Sequence, residues 1–173
     1  MYKDFYGLRE YPFNVTPDPQ FLYFSQHHSR ALDLLQYGIR DRKGFVVVTG
    51  EVGAGKTTVC RALLNGLEET TKTALILNPT LSDAQILRTI VDEFRLQPAR
   101  TSKKDLYDAI NAFLLRALAA GHNAALIIDE AQNLRPRVLE QVRLLSNLET
   151  EKEKLLQIVL VGQPELRELL GRD

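Results

Sequence analysis

The sequence predicts an α/β fold in which a parallel sheet is flanked by helices. Three observations point there. The runs "FVVVT", "AALII" and "IVLV" are almost wholly apolar, as strands buried on both faces of a sheet must be. Stretches with helical apolar periodicity separate them. A glycine-rich stretch, "GEVGAGKTT", stands where the first of these runs passes into a helical pattern.

The elements follow in order. Residues 1–24 are dense in aromatics and carry Pro12, Pro17 and Pro19. Proline at that density opposes a long helix, so the segment reads as an extended arm held by aromatic anchors. The core begins at Ser25, a cap for a helix whose apolar face is Ala31, Leu32, Leu34, Leu35 and Ile39. A buried strand over 45–49 and a helix over 55–67 come next. "TALIL", 73–77, is a second strand, followed by helices over 82–94, capped by Ser82, and over 102–120. "AALIID", 124–129, is the third strand and 136–148 a helix. "LQIVLVG", 156–162, is the fourth strand, and a last helix starts near Pro164. The chain stops in "ELRELLGRD" with no strand after it, which predicts a piece of a longer protein.

Composition bounds the function. The 173 residues, 45% hydrophobic and 25% charged, suit one soluble domain of residues 25–173 behind the arm. A net charge of zero supplies no general field for nucleic acid or an anionic membrane. No apolar run approaches the ~20 residues of a membrane-spanning helix, and "MYKDFYGLRE" lacks a signal-peptide core. The single cysteine, Cys60, excludes an internal disulfide and reads as a small buried residue. A cytoplasmic domain is expected.

The glycine-rich stretch fits the phosphate-loop pattern G-x-x-x-x-G-K-[ST] from Gly50 to Thr57. Gly50, Gly53 and Gly55 allow positive φ and close approach of backbone to a ligand. The amides of Glu51, Val52 and Ala54 complete an inward-facing nest, to which the next helix adds its positive end. Such a nest suits a polyphosphate. Lys56 would reach the β- and γ-phosphates, the Thr57 hydroxyl would ligate Mg²⁺, and Thr58 would lie near the α-phosphate.

"LIIDEAQ", 126–132, sets two carboxylates at the end of a later strand, the edge that faces the ligand crevice in a parallel sheet. An Asp-Glu pair there can also be simple capping. Beside a phosphate loop, Asp129 would instead hold Mg²⁺ and Glu130 would polarise the attacking water. Gln163, in "VLVGQPEL", emerges where a polar side chain could meet the γ-phosphate or the water; its plainer reading is a polar residue at a helix start. His27 and His28 lack partners at metal-ligand spacing and read as surface or capping groups. "RDRK", 40–43, reads as a solvated helix end, and the arginines of "RPRVLEQVR" as a solvated face.

These residues carry a resemblance. "FYGLREYPFNVTPDPQFLYFS", "GEVGAGKTT", "DEAQNL", "LLSNLET" and "VLVGQPELR" together resemble the ATPase domain of the general secretion pathway protein A family, ExeA-type members of the AAA+ superfamily. The likeness runs from about residue 5 to the end. It implies an ATP-binding and ATP-hydrolysing P-loop core with sheet order 5-1-4-3-2, here ending before the fifth strand and the helical lid. It implies Lys56 and Thr57 as Walker A, Asp129 and Glu130 as Walker B, and Gln163 as sensor 1. Tyr23, Phe24 or His28 would border the adenine if the arm lies near it; otherwise the arm covers a core edge.

The resemblance further implies homo-oligomerisation through the lid and an arginine finger, neither visible before Asp173. It also implies secretion-apparatus partners, with a membrane segment and a peptidoglycan-binding domain following in full-length relatives. The expected function is an AAA+ ATPase module assisting assembly of a secretion or export apparatus of the cell envelope. The alternatives are a DNA-transposition helper ATPase, which neutral charge disfavours, and a slow nucleotide-dependent switch.

Overall fold

The computed structural model describes residues 2–9, 11, 25–67, 69–77 and 79–171. Its strands are β1 (Phe45–Thr49), β2 (Thr71–Ile76), β3 (Asn123–Ile128) and β4 (Gln157–Gly162). They form one parallel sheet in the order β1-β4-β3-β2. The four strands keep the relative order 1-4-3-2 that was expected, and a groove of about 690 Å³ beside β1 is lined by Phe45, Val47, Leu139 and Leu170 among others.

The helices are α1 (Tyr2–Phe5), α2 (Gln26–Arg40), α3 (Lys56–Gly66), α4 (Asp83–Glu93), α5 (Lys103–Ala119), α6 (Pro136–Ser146) and α7 (Glu165–Leu170). Their starts follow local chemistry. Ser25 Oγ accepts from the His28 amide, and Ser82 with Gln85 and Ser102 with Asp105 close reciprocal capping boxes. Pro136 opens α6, where its missing N–H costs nothing.

Strand alternation divides the core into two layers. Ala125, Ile127, Val159 and Val161 face α2 and α3, meeting Leu35, Ile39, Val59, Cys60 and Leu63. Leu126, Ile128, Ile158 and Leu160 face the other way, into Ile86, Ile90, Ile110, Leu114, Val142 and Leu145. The sheet centre is therefore dry on both sides, which is why its strands read as unbroken apolar runs. Among the described residues, no helix is long and apolar enough to cross a membrane.

Three expectations change. β2 begins two residues earlier than its apolar run and ends before Leu77, because this edge strand tolerates Thr71 and Lys72 at partly exposed positions. The start of the arm is not extended: Tyr2–Phe5 is one helical turn, placed before the first proline. Its rings do not anchor it in the core, since Phe5 and Tyr6 are 82% and 69% exposed and pack edge-on against each other. Tyr23 and Phe24 lie outside the described residues. Within "RDRK", Arg42 is not simply solvated. Its guanidinium pairs with Glu153 at 3.0 Å and donates to the His122 carbonyl at 3.2 Å, tying the end of α2 to two later loops.

Gly38 lies in the last turns of α2, where the helix backbone touches β1. A Cβ built there would meet Val46 Cγ2 at 2.5 Å. Alanine gains about 1 kcal/mol of helix propensity over glycine, while overpacking costs about 1–3 kcal/mol. The β-branched Val46 has little rotamer freedom with which to move aside. Gly38→Ala is therefore expected to destabilise the fold by about 1 kcal/mol, read as a lower urea midpoint at unchanged m value; a raised midpoint would contradict this packing.

Burial, and secondly the Asp129 carboxylate, push the Cys60 thiol up from 9.0 to about 12. The neutral thiol is favoured in the folded state, so this contribution is complete below pH 9 and is lost as pH rises toward 12. At pH 8 a thiol reagent should label the native protein far more slowly than the urea-unfolded chain. Equal rates would mean that Cys60 is accessible.

Candidate functional site

The parallel order brings three strand ends to one level. Thr49 pairs with Gly162, and Ile128 lies across from Leu160. Beyond them, the Gly50 amide donates to the Gly162 carbonyl at 3.1 Å and the Asp129 amide to the Ile76 carbonyl at 2.8 Å. The loops leaving β1, β3 and β4 therefore face one another across the crevice.

The loop from Gly50 to Gly55 turns through two positive-φ glycines, Gly53 at 77° and Gly55 at 76°. Gly55 is also the N-cap of α3, so the helix's free amides open into the loop. Gly50 does not take positive φ. A Cβ there would make only ordinary contacts with Ala54 and the stem of Lys56. Lys56 Nζ donates to the carbonyls of Gly50 and Glu51 at 2.8 and 2.9 Å, which holds the ammonium over the loop.

Asp129 is 1% exposed. Its Oδ2 accepts from the Thr57 hydroxyl at 2.6 Å and its Oδ1 from the Glu130 amide at 2.9 Å. The two oxygen donors expected to serve a metal are thus in direct contact although 72 residues separate them. Among the described residues, no cluster of three or more His, Cys, Asp or Glu forms a protein cage for a metal. One hydroxyl and one carboxylate fit Mg²⁺, which keeps several waters and takes phosphate oxygens as its other ligands.

Glu130 adopts the left-handed region at φ 51°, and a short 3₁₀ turn, Ala131–Asn133, follows it. The turn reverses the chain so that Glu130, rather than continuing the strand, lines a cavity of about 260 Å³. Val52, Gly53, Gly55, Lys56, Thr57, Thr58 and Gln163 complete that cavity. Of the other predicted residues, Gly50 and Glu51 face Lys56 through their carbonyls, and Asp129 lies beneath Thr57. Larger concavities exist, notably a charged one of about 660 Å³ around Arg42 and Lys152, but they lie away from the loop amides and the strand ends.

One residue was not assigned to this site by its sequence. Gln132 Nε2 donates to Glu130 Oε2 at 2.6 Å, while its Oε1 accepts from the Gln163 amide at 3.0 Å. Only its place inside "DEAQ" signalled it. His28, read as a cap or a neighbour of the base, lies against the loop: its Nδ1 meets Ser25 Oγ at 3.1 Å and its Nε2 the Ala54 carbonyl at 2.9 Å. Arg167 Nε also reaches this end of the sheet, donating to Thr49 Oγ1 at 2.9 Å and tethering α7 to β1.

General secretion pathway protein A of Aeromonas hydrophila is 52% identical over 171 residues, covering 98% of this chain. The chain spans 31% of that protein's length. Among solved structures, the ORC2 protein of Aeropyrum pernix in its ADPNP-ADP complexes matches with a TM-score of 0.61 at 18% identity, over 91% of this chain and 46% of that one. Cdc6p of Pyrobaculum aerophilum gives a TM-score of 0.59 at 21% identity, over 87% of this chain and 45% of that one. Identities this low establish a shared fold. The AAA domain family profile matches residues 39–170, from the end of α2 to the end of α7. That match spans well over half of the 173 residues, and this chain belongs to the AAA domain family.

Proposed function

We propose that this chain is a Mg²⁺-dependent ATP-binding and ATP-hydrolysing module that assists assembly of a secretion or export apparatus of the cell envelope. One observation carries the chemistry: the Thr57 hydroxyl bonded to the buried Asp129 carboxylate, under a cavity shared by the phosphate loop, Glu130 and Gln163. The assembly role is supported by the 52% identity to general secretion pathway protein A and extends to partner proteins and self-association in the full chain. The likeness to ORC2 and Cdc6p concerns the fold alone, and a chain of zero net charge offers no general field for nucleic-acid phosphates.

The roles follow from position. The loop amides and the N-terminus of α3 would take the phosphate oxygens, with the Lys56 ammonium exchanging its two carbonyl partners for the β- and γ-phosphates. Thr57 and Asp129 would hold Mg²⁺, which supplies charge neutralisation between the phosphates. Glu130 would accept the proton of the attacking water, and Gln163, within 3.4 Å of that carboxylate, would orient the water or the γ-phosphate.

Lys56→Ala should leave the fold intact and remove tight ATP binding. With the unaltered protein, Mg-ATP at about 100 times its Kd should add roughly 2.7 kcal/mol of stability. An equal thermal shift in the variant would overturn the assignment of Lys56.

Asp129 and Glu130 are neighbours with separable duties. Asp129→Asn should weaken Mg-ATP about 10- to 10²-fold and metal-free ATP far less. Glu130→Gln should keep ATP affinity while lowering kcat by about 10² or more. Titrations with and without Mg²⁺ and single-turnover hydrolysis on the full chain check both. Wild-type turnover by Glu130→Gln would exclude Glu130 as the base.

A further inference from the structure

We propose that Gln132 is a positioning residue for hydrolysis, a two-ended bridge that aims Glu130 and fixes Gln163. This inference rests on the hydrolytic reading of Glu130. The bridge uses both ends of one amide. Its Nε2 donates to Glu130 Oε2 at 2.6 Å and its Oε1 accepts from the backbone N–H of Gln163 at 3.0 Å. The partners fix the amide's orientation, since an ionised carboxylate only accepts and a backbone N–H only donates. A glutamate at 132 could serve Gln163 but not Glu130, and a methionine of similar length could serve neither.

The neighbouring backbone makes room for this side chain. A Cβ at Gly162 would meet Gln132 Oε1 at 2.6 Å and the Gln132 backbone nitrogen at 3.3 Å. Any residue other than glycine at the end of β4 would therefore displace the bridge. On the opposite side, the 3₁₀ turn closed by Asn133 N–H to the Glu130 carbonyl, at 2.9 Å, brings residue 132 back beneath residue 130. Gln163 Nε2 also approaches Glu130 Oε2, at 3.4 Å. Both amides thus converge on one oxygen. Glu130 Oε1 is left to take the proton of a water in the cavity that Glu130 and Gln163 line. Gln132 holds the strand ends of β3 and β4 in one catalytic register without itself touching the phosphate.

The test compares Gln132→Met, Gln132→Glu and Glu130→Gln in the full chain, each first shown to unfold cooperatively near the wild-type Tm. Gln132→Met should lower single-turnover hydrolysis about 10- to 10²-fold, while the Kd for Mg²⁺ with a non-hydrolysable ATP analogue stays within about twofold. Added to Glu130→Gln, it should lower the rate no further, because it acts through that carboxylate. Amide hydrogen exchange gives a readout free of turnover. The Gln163 N–H should be protected in wild type and in Gln132→Glu, and exposed in Gln132→Met. An unchanged or faster rate in Gln132→Met, a loss fully additive with Glu130→Gln, or an unprotected Gln163 amide in wild type would overturn the bridge. A wild-type protein that binds Mg-ATP and never hydrolyses it would instead overturn the hydrolytic reading, and this role with it.

Discussion

The hydrogen bond from the Gly50 amide to the Gly162 carbonyl, 3.1 Å long, is the rung of the β1–β4 ladder on which the site depends. Strand β4 is the last of the four described strands yet lies between β1 and β3. That insertion sets the phosphate loop beside the turn after β4, with the acidic pair one strand further on. Register carries the same weight. A slip of one residue in β4 would exchange Val159 and Val161 with Ile158 and Leu160 between the two core layers. It would also move Gly162 from the one position where a missing Cβ admits Gln132.

The charges of the site are already provided with polar partners by the protein itself. Asp129, almost wholly buried, has a hydroxyl on one oxygen and a backbone amide on the other. Lys56 spends two of its donors on loop carbonyls. A buried carboxylate without such partners would be costly, and here they come from groups that metal and phosphate would recruit on the proposed reading. Binding would then exchange partners within a formed pocket and need little rebuilding of it. Burial, seconded by the same carboxylate, keeps the Cys60 thiol neutral, so this side of α3 contributes packing and no second anion.

Much of this was legible in the chain. The four strands are apolar because helices cover both faces, and period and composition together revealed them; the caps at Ser25 and Ser82 are local chemistry within three residues. The phosphate loop and the Asp129–Glu130 pair are legible for the same reason, each being a short motif at a strand end. What escaped was set by partners distant in sequence. Arg42 looked solvated until Glu153 and the His122 carbonyl came to meet it. The edge position of β2 admitted Thr71 and Lys72, and departure of the chain from the sheet released the apolar Leu77, which is 48% exposed.

Gln132 is the clearest of these cases, because nothing in "DEAQ" says what its side chain must reach. Its acceptor end serves an amide 31 residues away, and its room is provided by a glycine in another strand. Its donor end serves Glu130, a non-glycine residue in the left-handed region, a conformation that costs about 1–3 kcal/mol. Such a conformation persists where the surroundings over-determine it. Here the 3₁₀ turn, the Asp129 carboxylate on the Glu130 amide and the Gln132 bridge constrain the backbone and the side chain together. On the proposed reading, a carboxylate whose backbone is fixed and whose Oε2 is held by two amides would keep its aim when a water arrives, whereas one free to rotate would have to be ordered during the reaction. On that reading, the strain at Glu130 would belong to the same design as the strand order: both would place a reactive group in advance, and both rely on contacts that only the folded chain brings together.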